Sequence, residues 1–587
     1  MYFHGEAALS VAWSSAAAPW TYDVRPGVSA NVAADYKIKS AEDGSWTFWD
    51  SYTLAAEGFS ASKNDGLGRC PKTSNFLARD GYDLAMTLPW RVCSRARLSR
   101  DPRFDGKFFI GVRGSGVYCR SICPAPTAKE KNCTYFPTAA AAAEAGYRPC
   151  LRCRPECSPG TKAWAGTSNT VSRALLLIGE SGLESGGVEG LAERLGVGTR
   201  HLRRLFLKHL GATPSSVAQT RRLHFAKKLI DDTRLPMGEV ALASGFGCVR
   251  RFNAAIRGTY RRTPTQIRKL ARPEQGAAIN QYSFDLRFRP PYDWNGILDF
   301  LRRRAIPGVE HVENGAYRRT IEWNGRRGYF EVRADGKHAL ALTIEFEDSS
   351  ALFHIVERIR AMFDLNADPG KIARALRTDP LLAPLVRATP GVRVPGAWDG
   401  FELGVRAIVG QQISVQGAST ITGRIAEKFG RSYAPAAGLT RVFPSATVLA
   451  DANLSGLGLT TSRAETIRDF ARRVRDGAIR FNGVIDVTEF AKTFMEIPGV
   501  GGWTAQYVAM RALGDPDAFP SGDVALLRAS RLANHRALNL RAELWRPWRA
   551  YATLYLWSSL HTIAAMKPKP RTFRHAKPVA ARVRKVA

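Results

Sequence analysis

Cys119, Cys123, Cys150 and Cys153 fall in the order C-x3-C-x26-C-x2-C. Two close cysteine pairs on separate turns supply four thiolates to the corners of a tetrahedron, which is how one zinc ion is held. A structural zinc knuckle satisfies this spacing. So does a reactive centre, because metal-bound sulfur stays deprotonated and attacks electrophilic carbon. The spacing leaves both readings open. A second constellation is Ile497-Pro498-Gly499-Val500-Gly501-Gly502-Trp503-Thr504-Ala505, a glycine hairpin between two helices. Gly499 and Gly501 allow backbone to approach a DNA phosphate, so that amides opening the next helix bind it, with a bridging monovalent cation as the expected partner. Asp523 follows at the start of another apolar-periodic helix. An aspartate there caps the helix. Beside a DNA-binding hairpin its carboxylate can also stabilise an oxocarbenium-like sugar or orient water toward the anomeric carbon.

Aromatic residues crowd the same stretch: Trp503, Tyr507, Trp545, Trp548, Tyr551, Tyr555 and Trp557. Some must be core, since Tyr551 and Tyr555 at i, i+4 spacing read equally well as packing. Others suit a base flipped out of duplex DNA, and an alkylated purine carries positive charge that aromatic faces attract. That charge also weakens the bond to the sugar, so one carboxylate and an electron-rich pocket suffice. No cysteine follows Cys248. An iron–sulfur cluster in the C-terminal half is therefore excluded on ligand count.

These groups need several scaffolds, because 587 residues are too many for one core and suggest three to five domains. With 85 Lys and Arg against 52 Asp and Glu, the net charge of +33 makes a polyanion the expected partner, through phosphate contacts that release counterions. No stretch approaches the roughly 20 apolar residues of a spanning helix, so no membrane is expected. Six of nine cysteines lie between Cys119 and Cys157, which fits a metal site in a reducing cytoplasm better than a disulfide scaffold.

The expected organisation is a multidomain α+β chain. Residues 1–93 show little periodicity and read as an unassigned, disordered extension. Residues 94–160 form a small zinc-bound α/β knuckle, with an Ala-rich helix over Thr138 to Ala145. Residues 161–272 contain an internal repeat: Ala192, Gly196, Val197 and Thr199 recur as Ala241, Gly245, Phe246 and Cys248, and Phe206, Thr213 and Pro214 as Ile256, Thr263 and Pro264. This predicts an all-α domain of two helix-turn-helix units, each with a glycine turn, a short polar cap and an arginine-rich helix, Arg200, Arg203 and Arg204 in the first and Arg250 and Arg251 in the second. Residues 281–395 alternate as an antiparallel sheet with flanking helices, with a hairpin at Asp335-Gly336. Residues 396–566 are all-α around the hairpin. Residues 567–587 are a basic tail.

Asp101-Pro102-Arg103-Phe104-Asp105-Gly106, the four cysteines and Tyr147-Arg148-Pro149-Cys150-Leu151-Arg152-Cys153 resemble the zinc domain of Ada-type methylation-response regulators. The resemblance implies that Cys119 takes a methyl group from a DNA methylphosphotriester while Cys123, Cys150 and Cys153 complete the zinc site. Cys133 and Cys157 fall outside the family's four positions, and Cys157 is near enough in sequence to compete as a ligand. Residues 168–270 resemble the paired helix-turn-helix domain of AraC-type activators, with Cys248 where a capping serine is usual. Arg289-Pro290-Pro291-Tyr292-Asp293-Trp294, Gly404 to Gln412 and Trp545-Arg546-Pro547-Trp548-Arg549 are similar to AlkA-type 3-methyladenine DNA glycosylases. That likeness implies Asp523 as the catalytic aspartate, Trp503, Tyr507 and Trp557 as the base pocket, and Gln412 in the wedge position where leucine is familiar. Related enzymes with lyase activity carry lysine where this chain has Trp503, so a hydrolytic, monofunctional enzyme is expected. The combined reading is a cytoplasmic, nucleoid-associated bacterial alkylation-damage protein. It is a monomer that binds one zinc, damaged and promoter duplex DNA, and RNA polymerase. The alternatives are a DNA-binding regulator with a non-catalytic C-terminal half, or a purely structural zinc site.

Overall fold

The computed structural model describes residues 88–159, 170–171, 174–175, 177–178, 186–271, 280–336, 338–481 and 487–566, together with short backbone strands before residue 54. Those strands lie in a separate unit, Met1–Lys72, as two antiparallel ladders: Ala33–Ala34 with Tyr52–Thr53, and Lys37–Lys39 with Trp46–Phe48. The rest of the expected extension up to residue 87, and the basic tail 567–587, fall outside the described residues.

In the second unit, helix α1 (Trp90–Leu98) crosses the border expected at residue 94, because Cys93 and Ala96 pack against Phe108, Ile110, Cys133 and Tyr135. A four-stranded sheet follows in the order β3 (Cys133–Phe136), β1 (Phe109–Val112), β2 (Val117–Cys119), β4 (Arg148–Pro149), the last pair parallel. Helix α2 (Ala139–Glu144) begins where Thr138 accepts a hydrogen bond from Ala141 N–H, as the Ala-rich run predicts.

The repeat folds as two copies of one design. Helices α3 (Gly187–Arg194) and α4 (Thr199–Leu210) precede the long α5 (Pro214–Asp232); α6 (Met237–Ala243) and α7 (Val249–Tyr260) precede α8 (Pro264–Ala271). Leu202, Phe206 and Leu210 are buried in α4, and Phe252, Ile256 and Tyr260 at the matching turns of α7. Thr213 and Thr263 each accept from the N–H three residues on, with Pro at the first helical position in both copies. The polar caps expected before the arginine helices are replaced by Gly198 and Cys248, neither of which makes a side-chain capping bond.

Beyond residue 280 a five-stranded antiparallel sheet runs in the order β6 (Glu310–Glu313), β7 (Ala316–Trp323), β8 (Arg326–Asp335), β9 (Ala339–Phe346), β5 (Gln281–Arg287). Asp335 pairs with Ala339 across the predicted hairpin, where Gly336 takes φ +60°. Helices α9 (Trp294–Arg304) and α10 (Leu352–Met362) cover it. The helical remainder includes α11 (Gly400–Val409), α12 (Val415–Phe429), α13 (Thr461–Arg475), α14 (Val487–Met495), α15 (Gly502–Arg511), α16 (Val524–Ser530) and α18 (Arg549–Met566), with α17 (His535–Ala542) between the last two.

Packing crosses the module borders. Val217 and Ala218 of α5 share a core with Phe109, Tyr118 and Phe136 of the cysteine module. Phe225, Leu229 and Ile230 of the same helix share another with Tyr282, Phe284 and Leu286 of β5. Among the described residues no helix is long and apolar enough to cross a membrane.

Candidate functional site

The first site is built on β2 and β4. Cys119 ends β2, Cys123 lies in the turn beyond it, and Cys150 and Cys153 follow β4, so the parallel β2–β4 pairing brings both cysteine pairs together. Their four sulfur atoms all lie within 4.8 Å of one another. Tetrahedral zinc with bonds of about 2.3 Å needs sulfur atoms about 3.8 Å apart, so the donor set fits that ion. Hydrogen bonding among the thiols holds Cys123 down to about 7 and Cys150 well below the thiol range, while Cys119 and Cys153 are pushed up. Cys157 does not join this cluster: it is buried in a short 3-10 turn, Pro155–Cys157. Cys133 is buried on β3 among Phe108 and Tyr135.

The residues flanking the first ligand are also committed. Arg120 donates through Nε to Asp105 Oδ1 (2.8 Å) and through Nη1 to the Cys153 carbonyl (2.9 Å), and its backbone N–H points at Cys153 Sγ (3.4 Å). Tyr118 Oη and His224 Nε2 of α5 share a hydrogen bond of 2.8 Å. Neither partner was evident in the sequence.

The second site surrounds a cavity of about 810 Å³ lined by Gln411, Gln412, Trp503, Tyr507, Asp523 and Trp557. The hairpin fixes one wall. Buried Ile497 and Val500 anchor it, Gly499 takes φ +89°, and a Cβ on Gly499 would meet Thr466 Oγ1 at 2.6 Å. Gly501 is the N-cap of α15, which opens at Gly502 and carries Trp503 and Tyr507 on successive turns. Their rings stack with centroids 5.3 Å apart and planes at 11°, and the Tyr507 and Trp557 centroids are 6.3 Å apart. Tyr551, Tyr555 and Trp545 are buried in the core instead.

Asp523 caps α16, accepting from Leu526 N–H at Oδ1 (2.9 Å). Its other oxygen accepts from Trp503 Nε1 (2.9 Å), and Trp557 Nε1 donates to Oδ1 at 3.4 Å. The cap and the cavity carboxylate are thus one group. Tyr507 Oη accepts from Arg511 Nη1 (2.7 Å), and Arg511 is anchored by the Pro395 and Gly396 carbonyls. Burial alone raises the Tyr507 phenol, but Arg511 and Arg304 outweigh it and hold the group below its ordinary range. Arg406 reaches the cavity from α11, paired with Glu310 at 2.9 Å and with Glu402.

Gln412 is exposed at the cavity rim with φ +59°, a left-handed conformation rare outside glycine. Its neighbour Gln411, absent from the sequence-based set, donates through Nε2 to the Gly499 carbonyl (2.9 Å) and Thr504 Oγ1 (3.0 Å), latching the rim to the hairpin. The Gly404 to Gln412 run was its only signal. Far from this cavity in sequence, Arg200, Arg203 and Arg204 on α4 and Arg250 and Arg251 on α7 are all exposed opposite the buried faces of their helices.

Comparison with known families gives four matches in chain order. The metal binding domain of Ada matches residues 92–156, a helix-turn-helix domain 191–270, the AlkA N-terminal domain 283–399, and the HhH-GPD superfamily of base excision DNA repair proteins 405–550. A protein of Mycobacterium tuberculosis named "Probable bifunctional transcriptional activator/DNA repair enzyme AlkA" is 39% identical over 488 residues, covering 82% of this chain and 98% of its own. DNA-3-methyladenine glycosylase 2 of Escherichia coli is 32% identical over 278 residues, 47% of this chain and 96% of its own. The bifunctional transcriptional activator/DNA repair enzyme Ada of Escherichia coli is 34% identical over 125 residues, 21% of this chain and 34% of its own. The chain belongs to the bifunctional transcriptional activator and DNA repair family in which an Ada-type regulator is fused to an AlkA-type glycosylase.

Proposed function

We propose that this protein removes alkylated purines of the 3-methyladenine type from DNA by hydrolysis and reports methylphosphotriester damage through Cys119 to a promoter-binding helix-turn-helix pair. The observation that carries the enzymatic half is Asp523, an aspartate held by two indole N–H groups and a backbone amide at the wall of an aromatic cavity. A cationic purine stacked on Tyr507 and Trp557 departs with the electrons of its glycosidic bond. Asp523 stabilises the positive charge left on the sugar, and water adds at the anomeric carbon and loses a proton to solvent. Gln412 fills the vacated stack, and Gly499 and Gly501 bring hairpin amides to a phosphate, with a monovalent cation between. Arg200, Arg203, Arg204, Arg250 and Arg251 supply the groove contacts.

Zinc, when bound, keeps the four sulfurs as thiolates. Cys119 Sγ attacks the methyl carbon of the phosphotriester; the S–C bond forms, the C–O bond breaks, and an ordinary phosphodiester anion leaves. The working unit is a cytoplasmic monomer on nucleoid DNA that recruits RNA polymerase. Its modules are the cysteine module, from helix α1 to residue 160, and residues 161–272, 281–395 and 396–566. The deciding experiment measures release of methylated purines by the wild-type chain and by Asp523→Asn. Release by the first and not the second supports the enzyme, whereas inactivity of both leaves a DNA-binding module. In parallel, mass spectrometry after exposure to methylated DNA should show an added methyl on Cys119. Its absence would make the cysteine site purely structural.

A further inference from the structure

Arg289 belongs by sequence to the glycosylase half, yet it is fully buried and spends its guanidinium on backbone carbonyls from two modules. Nε donates to Asp105 O (2.9 Å), just ahead of β1, and Nη2 to Pro159 O (2.9 Å), at the far end of the cysteine module. Nη1 donates to Asn366 O (3.1 Å) and Ala367 O (3.4 Å) in its own half. The clamp leaves no spare room. Gly106 takes φ +72°, and a Cβ there would meet the Pro159 carbonyl oxygen at 2.1 Å and Arg289 Nη2 at 3.1 Å. Lys107 adds a 2.6 Å ion pair to Asp368 beside it.

From Asp105 the contacts continue inward. Its carboxylate grips Arg120 with both oxygens, and both side chains are buried. Arg120 in turn holds the carbonyl of Cys153 and offers its amide to the Cys153 sulfur. Loss of groups that orient metal ligands from behind typically costs about 10- to 100-fold in metal affinity.

We propose that Arg289 is a positioning residue of the four-cysteine centre: by clamping the Asp105 and Pro159 carbonyls it fixes the carboxylate that seats Arg120 against Cys153. The zinc site is then completed by the glycosylase half. This rests on reading the four cysteines as a zinc site, and the experiment separates the two. Zinc content of the full-length wild-type chain tests the site; zinc affinity of variants, by competition with a chromophoric chelator, tests Arg289. Arg289→Met should bind zinc about 10- to 100-fold more weakly than wild type. Asp105→Asn should do the same. Affinities within about twofold of wild type in a folded Arg289→Met chain overturn the proposal.

Coupling between two sites is reciprocal, so the wild-type chain gives a second test that no folding defect can spoil. Stripping zinc with a chelator should raise hydrogen exchange at the amides of residues 289, 292–294 and 364–368. Unchanged exchange there overturns the proposal, even if Arg289→Met does not fold.

Discussion

Tyr118, the residue before the first cysteine ligand, shares a 2.8 Å hydrogen bond with His224, midway along a helix of the helix-turn-helix region. Burial pushes His224 down to about 4, a shift that Glu156 opposes and Lys227 reinforces. The folded chain therefore holds this imidazole neutral where the unfolded chain, with an ordinary value near 6.5, protonates it. The contribution is fully present above about pH 6.5 and is lost as pH falls toward 4. Thermal melts across that window should show a decline on the order of 2 kcal/mol that is absent from His224→Gln. An equal decline in both proteins would assign it elsewhere.

Asp523→Asn and Asp523→Ala should part company. Asparagine caps a helix about as well as aspartate, so the first should melt near wild type yet lose about two to three orders of magnitude in base release. Alanine should lose the same activity and about 1 kcal/mol of stability as well. Equal melting points for the two variants would show that the capping bond contributes nothing.

Gln411 ties the rim to the hairpin through Gly499 and Thr504. Gln411→Ala should weaken binding to lesion-containing duplex several-fold and change single-turnover cleavage little, because the Asp523 contacts remain. A large fall in the single-turnover rate with unaltered binding would refute this division of labour.

Arg250→Ala and Arg251→Ala should each lower promoter affinity and reduce the slope of log affinity against log salt by about 1 if the side chain meets a phosphate. Methylation of Cys119, the proposed acceptor, should raise that affinity, since it would remove one negative charge from the proposed zinc–thiolate centre. Pre-methylated and unmodified protein compared at several salt concentrations would reveal the difference, and identical curves would reject it.

The sequence made the local signals legible. Alternation located the antiparallel sheet, the Asp335-Gly336 hairpin set the register of β8 against β9, and the duplicated Thr-Pro starts set the two helix-turn-helix units in phase. The cysteine spacing and the Asp523 cap are likewise short-range patterns. What stayed hidden depends on contacts far apart in the chain. Arg511 on Tyr507 lies only four residues away, yet its anchoring carbonyls at Pro395 and Gly396 are more than a hundred residues distant. Arg289 looks like one more surface cation until its four carbonyls are seen. Cys157 resembled a rival ligand by proximity alone, and a tight turn carries it away.

Helix α5 lends its first turns to one core and its later turns to another, with Phe225 set edge-on to Phe353 at 4.8 Å. A shortened gene product beginning near residue 280 would lay bare Phe353, Tyr282 and the strand beside them to water. Expressed alone, such a fragment invites self-association, so the repair half is better produced with its regulatory half attached.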